Sequence, residues 1–134
     1  MTSPFTRKTL TFLRALVRNN DREWFKARKP QYEQHVRQPM IDLVERLASD
    51  LPAFAPELVA DRKISLYRIY RDTRFSEDKR PLKTHVAAHF PSRTLGRSGG
   101  AGLYLEVAPR WVWIGGGLYM PSTPELHGIR EHIA

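Results

Sequence analysis

Leu10, Leu13, Leu16 and Val17, with Phe12 beside them, recur at spacings of three and four after Ser3-Pro4, which lines apolar side chains along one face of an α-helix. A first helix is expected from roughly Thr6 to Arg18, and Asn19-Asn20 suits the end of one helix and the start of another. Trp24 and Phe25 open a second helical stretch. Tyr32, Val36, Met40, Leu43, Val44, Leu47 and Leu51 then repeat at the same spacings in the strongest periodicity of the chain. Pro30 fits a first helical turn. Pro39 lies inside the pattern and should kink the helix, having no N–H to donate and a ring that crowds the preceding turn, and Pro52 and Pro56 should end it.

From Ile64 the period moves towards two. Thr84, Val86, Ala88 and Phe90 would share one strand face and His85, Ala87 and His89 the other, with Pro91 as the stop. Ser98, Gly99, Gly100 and Gly102 read as a flexible loop before two strands, Leu103 to Ala108 and Trp111 to Ile114. With Pro109-Arg110 as a two-residue connection, Ala108 faces Trp111, Val107 faces Val112, Glu106 faces Trp113 and Leu105 faces Ile114. One face of this hairpin is then aliphatic, from Leu103, Leu105, Val107, Val112 and Ile114, and the other carries Tyr104, Glu106, Trp111 and Trp113. Proline is atypical in so short a turn, and a longer loop would change the register. Ser122-Thr123-Pro124-Glu125 has the form of a capping box with proline in the first turn, followed by Leu126, Ile129 and Ile133 on one face.

These elements predict a single α+β domain over 1–134, with N-terminal helices packed on a mainly antiparallel β-sheet and a further helix near the C-terminus. Ala134 follows directly on an apolar residue with no polar tail, so 1–134 is expected to be the N-terminal portion of a longer domain. The 134 residues suffice for one core, and 41% hydrophobic with 27% charged residues is ordinary globular usage. The absence of cysteine excludes disulfide frameworks, thiolate zinc sites and cysteine nucleophiles. No apolar run is long enough to span a bilayer, and Arg14 and Arg18 interrupt the first amphipathic stretch, so no membrane partner and a cytoplasmic location are expected. The formal net charge of +8 favours phosphorylated ligands or polyanionic partners.

Half of that surplus falls within 61–85, where eight cations face four carboxylates and Tyr67, Tyr70 and Phe75 are interleaved. Arginine presents a planar fork suited to phosphate, and a neighbouring aspartate can hold the fork in place. Arg68, Arg71 and Arg74, with Lys79 and Lys83, are therefore candidate anion-binding residues, and Asp72 and Asp78 their orienting partners. On a regular strand Arg68 and Arg71 point to opposite faces, so convergence needs a bend near Asp72. The competing reading is a solvated loop whose charges pair with one another, each exposed pair contributing ~0–1 kcal/mol.

Gly115, Gly116 and Gly117 follow a strand and precede a helix start, where consecutive N–H groups can form a concave anion nest. They lack the Lys-Ser/Thr of a P-loop and the spacing of a dinucleotide fingerprint, and the structural alternative is a bulge or a place where only hydrogen fits. His85 and His89 stand four apart, but a metal site needs a third ligand, such as Glu106 or His127, from elsewhere in the fold. Glu106, flanked by Tyr104 and Trp113, invites two readings: a desolvated carboxyl with a raised pKa suited to acid chemistry, or a carboxylate paired with an arginine that ties the sheet together while the tryptophans pack under a helix.

Three blocks carry a resemblance: Asn19-Asn20-Asp21-Arg22-Glu23-Trp24-Phe25; the run Tyr67-Arg68-Ile69-Tyr70-Arg71-Asp72-Thr73-Arg74-Phe75-Ser76 with Asp78-Lys79, Pro81 and Lys83; and Gly115-Gly116-Gly117 before Pro121 and Ile129-Arg130. Together they resemble the bacterial family known as domain of unknown function 2461, from which Leu82 departs, since family members usually carry an aromatic residue there. The resemblance implies an α+β domain whose members continue past the helix near Pro124, and it brings no established activity, cofactor or substrate. The expectation for function is a non-catalytic binding module, without cofactor, whose basic groove holds a phosphorylated small molecule or a nucleic-acid backbone. The alternatives are a metal-assisted phosphoester hydrolase using Asp72, His85 and Glu106, and a protein–protein interaction domain.

Overall fold

The computed structural model describes residues 3–118 and 121–134. Thr6 caps the first helix by accepting from the Lys8 N–H while Thr9 accepts from the Thr6 N–H, so α1 (Arg7–Arg18) starts within a residue of the expected point and buries Thr9, Phe12, Leu13 and Leu16. The Asp21 carboxylate accepts from the Trp24 N–H at 2.9 Å and starts α2 (Arg22–Ala27). A short α3 (Lys29–Tyr32), with Pro30 in its first turn, passes through one π-helical turn (Glu33–Arg37) into α4 (Gln38–Phe54).

The two interior prolines behave differently from expectation. Before Pro39 the ladder widens: the Gln38 N–H reaches back five residues to the Glu33 carbonyl, and Pro39 then stands in the first turn of α4, where a missing N–H is tolerated. Pro52 does not end the helix, which continues to Phe54 and closes with the Ala55 N–H on the Leu51 carbonyl at 2.7 Å. Pro52 removes a single bond in the last turn, while Leu51 and Ala55 on either side of it are anchored in the core.

The sheet is antiparallel with order β1-β2-β3, formed by β1 (Val86–Phe90), β2 (Ala101–Val107) and β3 (Val112–Leu118). A single helical turn, α5 (Gly96–Gly99), precedes β2. The hairpin has the register that a two-residue Pro109-Arg110 turn dictates: Val107 pairs with Val112, Glu106 with Trp113 and Leu105 with Ile114, and the Ala108 N–H closes on the Trp111 carbonyl at 2.9 Å. Both strands are longer than expected. Gly102 belongs to β2 and not to a loop, because a Cβ there would fall 2.8 Å from the Phe90 carbonyl oxygen of β1. Gly115, Gly116 and Gly117 lie inside β3.

Val86, Ala88 and Phe90 turn towards the helices and join Leu13, Leu16, Val36, Met40 and Val44 in one core. That cover is strongest over β1: Val112 and Ile114 of β3, on the same aliphatic face, are 64% and 70% exposed. Between α4 and β1 the chain is largely irregular. An isolated bridge pairs Tyr70 with Leu82, supported by the Arg71 N–H on the Pro81 carbonyl and the Lys83 N–H on the Ile69 carbonyl, and it projects a loop over 72–80. Ser122 caps α6 (Thr123–Ile133) through the Glu125 N–H as the sequence predicts, and no residue of α6 is buried. The architecture is α+β, and among the described residues no helix is long and apolar enough to cross a membrane.

Candidate functional site

The 72–80 loop spends most of its cations on itself. Arg71 Nη1 donates to the carbonyls of Asp78 (3.2 Å) and Arg80 (2.8 Å) and lies 3.3 Å from the Asp78 carboxylate. Arg74 grips Asp72 through Nε at 3.0 Å and Nη2 at 2.9 Å, and Arg80 grips Asp78 in the same way. Lys79 Nζ donates to the Thr73 carbonyl at 2.7 Å. The Arg74 side chain, its backbone N–H and the more distant Arg68 hold the exposed Asp72 carboxyl down at about 2, and Arg80 with Arg71 holds Asp78 well below the usual carboxylate range. Asp72 and Asp78 therefore neutralise the loop, and Arg71, Arg74 and Lys79 take their partners within it.

Arg68 and Lys83 are placed differently. Among the described residues no carboxylate forms an ion pair with either, and Lys83 Nζ donates to the Arg68 carbonyl at 2.8 Å. Lys83 Nζ stands 5.3 Å from the Tyr67 ring centroid, and the Arg97 guanidinium approaches the same ring at 5.2 Å. Burial, then Arg68, then Arg97, push the Lys83 amine below its ordinary value. Two cations thus meet over Tyr67, and Arg68 lies near enough to act on Lys83.

That cluster borders a cavity of about 320 Å³ on the sheet face turned away from the helices, lined by Tyr67, His89, Arg97, Tyr104, Trp113 and the backbone of the sheet glycines. The strand period builds the hollow: His89, Tyr104 and Gly115 form one row across the sheet, Ala87, Glu106 and Trp113 the next, and Gly102 pairs with Gly117 on the same face. Side chains are missing where the cavity sits. A Cβ on Gly115 would land within the Trp113 ring, which lies over that residue, and Gly117 has φ +148°, a conformation that favours glycine. The three glycines do not form the anion nest considered from the sequence, since successive N–H groups of a paired strand point in opposite directions.

Below the cavity, Tyr104 Oη donates to Glu106 Oε1 at 2.7 Å and Trp111 Nε1 donates to Oε2 at 2.6 Å, with His85 Nε2 3.6 Å from Oε1. Neither sequence reading of Glu106 describes this. Its largest influence, burial, raises the pKa, but the Trp111 and Tyr104 hydrogen bonds and His85 together bring it below the ordinary value, so Glu106 is an ionised acceptor, not an acid. Its partners are not arginines, and Trp111 and Trp113 are half-exposed with no helix over them. Burial pushes the Tyr104 hydroxyl up, reinforced by Glu106.

His85 and His89 diverge. His85 belongs to the Glu106 cluster, whereas His89 stacks 4.8 Å from Tyr67 in the cavity wall with its Nδ1 buried and unpartnered. Asp72 stays with Arg74, and among the described residues no group of three or more His, Cys, Asp or Glu side chains is placed to hold a metal ion. Of the three aromatic residues interleaved with the basic run, only Tyr67 borders the cavity; Tyr70 packs edge-on to Phe25, and Phe75 is 94% exposed at the loop tip. Arg97 escaped sequence reasoning because it sits in a glycine-rich stretch with no periodic neighbours to place it.

No curated protein and no solved structure matches the chain. A family model described as conserved hypothetical protein (DUF2461) matches residues 8–134, which contain the capped α2 start, the basic loop and the glycine-floored hairpin alike. The chain belongs to that family.

Proposed function

We propose that this protein is a non-catalytic binding module that seats a phosphorylated ligand over Arg68, Lys83 and Arg97 beside the sheet cavity. The observation that carries this reading is a half-buried lysine crowded by like charge: Lys83 Nζ and the Arg97 guanidinium approach the same Tyr67 ring, burial and then Arg68 and Arg97 depress the lysine, and among the described residues no carboxylate forms an ion pair with Lys83. Holding cations together is unfavourable, and an anion placed among them offsets the repulsion. The basic groove is thus narrower than the whole 61–85 run. A hydrolase built on Asp72, His85 and Glu106 gains no support, because Asp72 is not in the cluster that His85 and Glu106 form.

Calorimetric titration and thermal shift with inorganic phosphate and pyrophosphate test the reading. Binding should raise the melting temperature and weaken steeply with added salt. The Arg68→Ala, Lys83→Ala double variant should lose the response, whereas Arg74→Ala, whose charge Asp72 already neutralises, should keep it. Equal loss in both variants, or no response in the parent protein, would refute the assignment. Phe75, 94% exposed on a loop braced by Arg71, favours a second reading in which that loop contacts a protein partner.

A further inference from the structure

Resting on that reading, we infer that the anion belongs to a molecule with a planar ring, and that the cavity takes a ligand of the nucleoside monophosphate class. The ring would lie in the glycine-floored hollow against Tyr104 and Trp113, and the phosphate would face the cations around Tyr67. Three features of the cavity argue for this and are independent of the charge.

The floor is open at one end. Gly102 and Gly117 face each other across β2 and β3, so that row carries no side chain, and in the next row Gly115 leaves the space that the Trp113 ring takes beside Tyr104. The walls are aromatic: Tyr67 stands 6.0 Å from Tyr104, and Tyr104 stands 5.6 Å from Trp113, at tilts of 59° and 61°, and Trp113, half-exposed, offers ring surface to a third ring. The size is small. At about 320 Å³ the cavity is at the lower end of small-molecule sites, roughly 300–1,000 Å³, which fits one nucleotide and not a longer strand. An inorganic anion alone would leave this apolar hollow filled only with water, whereas a heterocycle displaces that water and stacks. Arg71, Arg74 and Arg80 are taken by Asp72 and Asp78, so the 72–80 loop does not extend the cluster into a basic track for a polynucleotide backbone.

The test compares AMP, UMP, ribose 5-phosphate, adenosine and inorganic phosphate on the full chain by calorimetry, with tryptophan fluorescence as a second readout. AMP should bind about tenfold more tightly than ribose 5-phosphate, the gain expected of one stacked base, and should perturb the emission of Trp113. Trp113→Ala should bring AMP down to the affinity of ribose 5-phosphate and leave that of phosphate unchanged. Gly115→Ala is the second variant: its Cβ would occupy the place of the Trp113 ring and drive that half-exposed ring out of position without removing it, and it should lose the same tenfold gain. A thermal shift with phosphate verifies that each variant is folded. Equal affinity for AMP and ribose 5-phosphate, with phosphate still bound, would overturn the ring inference and leave the anion site standing. Loss of binding to every anion would overturn both. An oligonucleotide bound far more tightly than AMP would overturn the mononucleotide class and point to nucleic acid.

Discussion

Two donors converge on Glu106, the Tyr104 hydroxyl and the Trp111 indole N–H, and they decide what this carboxylate can do. Burial alone would raise its pKa, but hydrogen bonds to the charged form outweigh burial, and Glu106 stays ionised between two rings. Glu106→Gln would keep one acceptor oxygen and set an NH2 group against a donor. Urea denaturation should show a loss of about 1.5–3 kcal/mol, the scale of a hydrogen bond to a charged group. The same variant removes the one neighbour that raises the His85 pKa, so an NMR titration should find that His85 pKa lower still in Glu106→Gln. A rise would mean that the two side chains do not interact.

Asn20 does for the elements what Glu106 does for the sheet face. Its side chain accepts from the Leu82 N–H at 3.0 Å and donates to the Leu82 carbonyl at 2.8 Å, pairing with a buried residue's backbone as a strand would and locking the α1–α2 junction to the return arm of the 72–80 loop. Asn20→Ala leaves both Leu82 groups unsatisfied, and chemical denaturation should register a loss of about 2–4 kcal/mol at ~1–3 kcal/mol for each buried group less relaxation. Arg71→Ala removes the donor that ties the Asp78 and Arg80 carbonyls together. Limited proteolysis should therefore cut the 72–80 loop much faster in Arg71→Ala than in Arg74→Ala, whose ion pair with Asp72 is exposed. Little of this was legible beforehand. The helices and the hairpin register were readable because a period of 3.6 or 2 fixes which residues share a face, and the Ser122 cap because its side chain acts within three residues, whereas Asp21, one residue past the Asn19-Asn20 pair credited with the helix junction, is the cap of α2. Asn20 acts across 62 positions, and the partners of Arg71 depend on how a loop closes. The cavity needed the pairing of Gly102 with Gly117, which no single-strand pattern reveals.

At the scale of the whole molecule two half-buried histidines beside cations set how stability follows pH. Burial, then Arg97, lowers the His89 pKa, and burial outweighs Glu106 in lowering that of His85, with Lys83 acting in the same direction. An unfolded histidine takes up its proton near 6.5, so just below that pH the unfolded chain holds more protons than the folded one. Stability must then fall as the pH drops from about 6.5 through the lowered folded values, because ∂ΔG/∂pH follows the excess of protons on the unfolded state. Asp72, held at about 2, cannot account for a loss in that range, since its own contribution disappears only in much stronger acid. The melting temperature should decline between pH 7 and 5, and the decline should flatten in His85→Gln, His89→Gln. If an anion sits by Lys83 and Arg97, it also shields both histidines from the charges that help depress them, and saturating phosphate should make the decline shallower while its onset, set by the unfolded histidines, stays near pH 6.5. A melting temperature that holds constant from pH 7 to 5 would show that the two imidazoles are not depressed, and a slope unchanged by phosphate would separate them from the anion.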